Sequence, residues 1–349
     1  MRPTLRPGKP NHRLLSLFST LLLTFTAALA HAQDYTSIVV FGDSLSDTGN
    51  VAHLTDQKYG VRIPGPSAEY TDGRFTDGDD TIPPAQKYFG VWIEQYAAML
   101  PAKPIITDSL DGGTNYAYGF ALTGNGTSVL TLGTSPDSPS VIVNNIGQQI
   151  TDYLATSPVI NNRTLFVVWG GANDLLNAGS TDDIVKADIH QLTNIQRLID
   201  AGATRFIIPN LPPLGLVPRF NGSPTTSVPA TAASVLFNRL LSTGLSILHD
   251  INFGKHLDFV QLDVFTLFNQ IVASPSKYSL VNVTSSSQGI PAIDPDTYLF
   301  WDDLHPTTRG HNILALTVAG MITGKQCGSQ LEAKCESAPA AVGDMIPAP

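Results

Sequence analysis

Ile38-Val39-Val40-Phe41-Gly42-Asp43-Ser44-Leu45-Ser46-Asp47 is the stretch on which the fold turns. Its first four residues are apolar and mostly β-branched, with no alternation of apolar and polar positions. That marks a strand buried on both faces, and the glycine and small polar residues after it mark a turn. The runs Leu165-Trp169, Phe206-Ile208 and, in part, Phe259-Val264 read the same way. Between them the apolar spacing changes to three and four: Ile189, Leu192, Ile195 and Ile199 before Gly202, then Phe237, Leu241, Leu245 and Leu248. Strands alternating with helices predict a central parallel sheet covered on both faces, a three-layer α/β/α sandwich. Ligands are then expected beyond the carboxyl ends of the strands.

Composition agrees with a folded chain. Of 349 residues 42% are hydrophobic and 14% charged, which excludes disorder and coiled coil. With 20 basic residues against 29 acidic and a net charge of −9, no nucleic-acid partner is expected. Residues 1–32 read as a secretory signal: Arg2, Arg6, Lys9 and Arg13 precede the apolar run Leu14-Leu29, and Ala30-His31-Ala32 supplies a cleavage site. Losing those four basic residues takes the charge from −9 to −13 and implies a secreted protein, extracellular or periplasmic. No later segment is expected to span a membrane. Cys327 and Cys335, the two cysteines, are expected to form a short disulfide clip. A single domain is expected over 33–335, with an irregular loop region at about 52–85 and a flexible tail over 336–349. The cluster Asp77-Gly78-Asp79-Asp80 lacks the Gly and Glu of a calcium-binding loop and reads as a solvated acidic turn, so no metal site is expected.

Chemistry is suggested at four places. Ser44 stands where the first strand ends, either as a nucleophile or as a helix cap; the hydrolase elbow Gly-x-Ser-x-Gly is absent because Ser46 occupies its second glycine position. A serine needs a base, and Asp302-Asp303-Leu304-His305 puts an Asp three residues before a His, on a loop entering the last helix. His311, further along, is expected on that helix's surface. Asn173, in Gly170-Gly171-Ala172-Asn173-Asp174 after the second strand, is either an oxyanion donor or a cap. Asn115-Tyr116-Ala117-Tyr118-Gly119 offers a backbone N–H as a further donor.

These four pieces, in this order, resemble the blocks of the GDSL lipase/esterase family, the SGNH hydrolases. So do Gly73-Arg74-Phe75-Thr76-Asp77-Gly78, Val91-Trp92-Ile93-Glu94, Pro209-Asn210-Leu211-Pro212-Pro213-Leu214-Gly215 and Asp263-Val264-Phe265. The resemblance implies a flavodoxin-like α/β/α fold and needs no cofactor. It implies Ser44 as nucleophile, His305 as base and Asp302 as its orienter, with an oxyanion hole of the Asn173 amide and the N–H groups of Ser44 and Gly119. Where the family often has two adjacent glycines this chain has Gly119-Phe120, so either N–H can be the donor. The expected function is a secreted serine esterase or lipase acting on acyl lipids or short aliphatic esters, a small-molecule or lipid ester being its partner. A carbohydrate O-acetyl esterase and an inert secreted binding protein are the alternatives. Tyr59, Tyr70 and Phe75, in the irregular region, are expected to cover the site and wall an acyl chain.

Overall fold

A computed structural model describes residues 35–78, 88–133 and 138–323, with the backbone of Lys325–Gln326 and Glu336–Ser337. The expected signal, the two cysteines, Asp79, Asp80 and the tail beyond 337 lie outside the described residues. In chain order the elements are β1 (Ser37–Gly42), α1 (Asn50–Tyr59), α2 (Trp92–Met99), β2 (Thr127–Thr131), β3 (Ser140–Asn144), α3 (Ile146–Ala155), β4 (Thr164–Trp169), α4 (Ala172–Asn177), α5 (Thr181–Asp200), β5 (Arg205–Pro209), α6 (Pro218–Asn221), α7 (Pro224–Ile251), β6 (Asp258–Leu262), α8 (Val264–Ala273), β7 (Asn282–Ser286), β8 (Tyr298–Phe300) and α9 (Thr308–Thr323).

The central sheet runs β1-β4-β5-β6 with every pair parallel. Residues 114–118 lie extended along the free edge of β1: Val40 N–H donates to Thr114 O at 3.0 Å and Tyr116 N–H to Val40 O at 2.8 Å. Counting that segment, the order is that of a flavodoxin-like sheet, with the first strand inside and the chain reversing direction across the sheet on either side of it. Successive residues of β1 part to opposite faces. Ile38 and Val40 pack in a core with α2, α8 and α9, through Trp92, Phe268 and Leu314; Val39 and Phe41 pack in a second core with α3, α5 and α7, through Ile150, Leu198 and Phe237. The result is the three-layer α/β/α fold, with the carboxyl ends of β1 and β4 side by side at Gly42 and Trp169.

Two sequence expectations need correction. The region from residue 52 is helical to Tyr59, because Asp47 accepts the N–H groups of Gly49, Asn50 and Val51 and so starts α1, which Gly60 ends in a left-handed turn at φ 69°. On α5, Ile189 is 54% exposed; the buried stripe includes Ile184, Ile195 and Ile199 and also Gln191 and Asn194. Those two amides donate to Val168 O and Thr123 O, so the inward face carries polar residues that the apolar spacing overlooked. Finally α7, 28 residues long, is apolar and long enough to cross a membrane on length and composition. One of its stripes nonetheless buries Phe237, Leu241 and Leu245 in the core.

Candidate active site

β1 delivers Ser44 into a tight turn. Gly42 is needed there because a Cβ would come within 2.8 Å of Trp169 O, across the β1–β4 pair. Both backbone groups of Gly42 are held by the Gln149 side chain, at 2.9 Å each. Ser46, standing where the usual elbow has glycine, is buried and accepts the Trp92 indole N–H at 3.1 Å. This turn is therefore fixed by side-chain bonds, and Ser44 itself is 8% exposed.

The structure brings the residues expected for catalysis into one chain of contacts. Ser44 Oγ lies 2.9 Å from His305 Nε2, and His305 Nδ1 lies 2.7 Å from Asp302 Oδ2. Asp302 Oδ1 accepts the N–H groups of Leu304 and His305 at 2.8 and 2.7 Å, and Tyr70 Oη donates to Oδ2 at 2.9 Å. Burial works to raise the Asp302 carboxyl, yet the facing imidazole and these donors hold it well below the usual carboxylate range. Burial likewise works to lower His305, but the Asp302 charge and hydrogen bond, helped by Asp43, raise its pKa above the ordinary value. Asp43, in the turn that carries Ser44, is pushed by burial up to about 6. The neighbouring Asp303 is engaged elsewhere, in a two-point ion pair with Arg219 at 2.8 and 2.9 Å.

The loop carrying His305 is clasped by the hairpin 70–77. Asp77 accepts the N–H of Thr308 at 2.6 Å and its hydroxyl at 3.0 Å, Thr76 Oγ1 donates to Pro306 O at 2.9 Å, and the Phe75 ring lies against the imidazole with centroids 5.2 Å apart. Asp77 is thus buried at the head of α9, a correction to the solvated acidic turn, because it supplies the acceptor that the first turn of α9 needs. His311 is also corrected: it is fully buried, accepting Trp92 N–H at Nδ1 at 3.2 Å, with a pKa lowered by burial to about 3. Tyr70 escaped any motif-based reading as a partner of Asp302, being separated from it by 232 residues.

The groups expected as oxyanion donors divide. Gly119 N–H, the donor expected from the family pattern, points to Asp47 Oδ2 at 2.9 Å and is already satisfied. Its missing side chain makes room for the Phe75 ring, which a Cβ would strike. Phe120 follows with φ 68°, a conformation disfavoured for a bulky residue, and its N–H meets no protein acceptor among the described residues; nor does that of Ser44. Asn173 lies in the first turn of α4, after the left-handed Gly171, 8% exposed; its amide donates to Ala121 O at 3.3 Å and has a second proton to offer. A cleft of about 560 Å³ opens beside the triad, lined by Ile63, Tyr70, Phe75, Leu132, Asp302 and His305. A larger hollow of about 730 Å³, against the first half of α7 at Val228, Val235 and Leu236, holds none of these groups.

An α/β/α sheet with a Ser-His-Asp relay at the carboxyl end of its first strand defines a serine-hydrolase class of site. The GDSL-like lipase/acylhydrolase family model matches residues 38–318, and the chain belongs to that family. It is 25% identical over 300 residues to a thermolabile hemolysin of Vibrio parahaemolyticus, covering 80% of this chain and 62% of that protein. To a GDSL esterase/lipase of Arabidopsis thaliana it is 24% identical over 341 residues, covering 82% and 89%. A solved lipolytic protein of the G-D-S-L family from Veillonella parvula aligns at 12% identity with a TM-score of 0.40, over 80% of this chain and 94% of that one. The chain spans about half to two thirds of the length of some of its relatives, 62% of the Vibrio protein and 50% of one from Pseudomonas putida.

Proposed function

We propose that this chain hydrolyses carboxylic esters through an acyl-enzyme on Ser44. The observation that carries this is the unbroken relay Ser44 Oγ–His305 Nε2 at 2.9 Å and His305 Nδ1–Asp302 Oδ2 at 2.7 Å. His305 takes the Ser44 proton as Oγ bonds to the ester carbon, and the carbonyl electrons move onto oxygen. The Ser44 and Phe120 N–H groups and the Asn173 amide meet that oxyanion. Collapse breaks the bond to the alcohol oxygen, which leaves with the proton from Nε2. Water then repeats the cycle, giving the carboxylic acid and restoring Ser44.

The cleft walls of Ile63, Pro64, Tyr70, Phe75 and Leu132 are mainly apolar and suit the acyl part of a lipid or short aliphatic ester. The signal-like pattern of residues 1–32 supports export. The test is hydrolysis of p-nitrophenyl esters of graded length beside acetylated polysaccharide, with a fluorophosphonate adduct mapped by mass spectrometry. Hydrolysis of the aliphatic esters, an adduct on Ser44 and a dead Ser44→Ala are expected. A preference for the polysaccharide replaces the lipid reading, and no turnover of any ester removes the enzyme reading altogether.

A further inference from the structure

Asp302 Oδ2 takes two hydrogen bonds, one from His305 Nδ1 at 2.7 Å and one from Tyr70 Oη at 2.9 Å. The second comes from outside the Asp-x-x-His segment, from a residue at the foot of the hairpin 70–77. That hairpin is closed by Thr71 N–H to Thr76 O at 3.0 Å and Thr71 Oγ1 to Asp77 O at 2.6 Å. The Tyr70 ring stands edge-on to Trp301, centroids 5.9 Å apart at 86°, and its hydroxyl proton is directed at the carboxylate. Burial, then the Asp302 charge, pushes the phenol's pKa upward, so the hydroxyl is a donor at every working pH.

We propose that Tyr70 is a positioning residue for the relay: its hydroxyl shares Asp302 Oδ2 with His305 and thereby sets how strongly that oxygen holds the imidazole proton. The inference rests on the Ser44–His305–Asp302 reading and deepens it. A carboxylate oxygen that gives part of its electron density to a phenol is a weaker acceptor toward the imidazole. With the hydroxyl gone, Oδ2 binds the imidazolium harder, and His305 stays protonated to higher pH. The other titratable and charged groups near His305 are Asp43 from the turn after β1, Arg219 with its partner Asp303, and the neutral His311 on α9. Exchanging Tyr70 for Phe leaves all of them in place.

The experiment is the pH profile of kcat/KM for Tyr70→Phe on one soluble ester, repeated as the pH profile of fluorophosphonate inactivation. The acid limb is expected to move up by roughly half a pH unit or more, with kcat near pH 6 lowered several-fold and KM little changed. A uniform loss at all pH values with an unmoved limb assigns Tyr70 a packing role and overturns the proposal. If Tyr70→Phe does not fold, site-specific 3-fluorotyrosine at this position, a more acidic donor of nearly the same size, is expected to move the limb downward; an unmoved limb overturns the proposal there too. Ser44→Ala run alongside separates the readings: if it stays active the relay itself is wrong, whereas a dead Ser44→Ala with an unshifted Tyr70→Phe removes only the role of Tyr70.

Discussion

Asp47 Oδ2 accepts the backbone N–H of Gly119 at 2.9 Å, while the same carboxylate takes the N–H groups of Gly49, Asn50 and Val51 at the head of α1. One buried side chain thus starts the helix after the Ser44 turn and turns the 115–121 segment so that Phe120, not Gly119, offers an N–H with no acceptor among the described residues. The neighbouring amides extend the tie: Asn50 Nδ2 donates to Asn115 O and Ala117 O, and Asn115 Nδ2 to Ser46 O. Burial raises Asp47 to about 6 against the lowering effect of its four N–H donors, so the carboxylate depends on all of them.

Asp47→Ala is expected to lower the thermal midpoint, the lost cap alone costing about 1–2 kcal/mol, and to lower kcat more than it changes KM. Phe120→Gly is expected to keep kcat within a few-fold, since the donor is main chain and glycine accepts φ 68° without strain. Thermal denaturation with steady-state kinetics on both variants checks this. A large kcat loss in folded Phe120→Gly points to a role of the ring itself.

The two adjacent carboxylates 302 and 303 separate cleanly. Asp302→Asn is expected to cut kcat by about 10⁴, the size seen when an orienting carboxylate becomes an amide that favours the wrong tautomer. Asp303→Asn is expected to stay within a few-fold, because Asp303 faces Arg219 in a half-exposed ion pair of small worth. Parallel kinetics on the two variants decide the matter, and a reversed order assigns the relay to the wrong acid.

What the sequence made legible follows the range of the interactions. β1 and β4 could be read because a strand buried on both faces declares itself in consecutive residues, as Leu165 to Trp169 do. Ser44, Asn173, Asp302 and His305 could be singled out as candidates because each sits in a short motif at an element's end. The Asp47–Gly119 and Tyr70–Asp302 bonds could not, since each joins segments distant in sequence and uses residue types that are ordinary on a surface. His311 was misplaced for a related reason: a histidine on an amphipathic helix looks like solvent face until Trp92 is seen to supply its partner. The irregular region hid a helix at 52–59 and, at 70–77, a clasp on the histidine loop, so the acyl-wall expectation describes only part of what Tyr70 and Phe75 touch.

Asn173→Ala is expected to lower kcat by roughly 10²–10³ with little change in KM, as when one oxyanion donor is lost. The ground-state carbonyl oxygen is nearly neutral, so the amide matters mainly once charge has developed. Asn173→Asp should be worse, placing an acceptor and a negative charge against the oxyanion. Should folded Asn173→Ala retain its kcat, the side chain is only a brace on Ala121 O.

His311 gives a prediction about stability. It is buried with its pKa lowered to about 3, while in the unfolded chain it titrates near the ordinary value of about 6.5. Between those values the unfolded chain binds a proton that the folded chain refuses, so stability falls as pH drops through that window. His305 acts above that window and with the opposite sign: its raised folded pKa adds stability that is complete below the unfolded value and is lost as pH rises through the folded one. Asp302, held low, contributes stability above the ordinary carboxylate value that disappears only as pH falls through its depressed folded pKa. In the window between about 3 and 6.5, His311 is therefore the group whose removal should flatten the acid side of the curve. His311→Gln gives up the Trp92 N–H geometry and should begin less stable at pH 7, yet lose less stability between pH 6 and pH 4 than the unchanged chain. Urea midpoints at several pH values measure both slopes, and equal slopes would mean that His311 takes up its proton within the folded state.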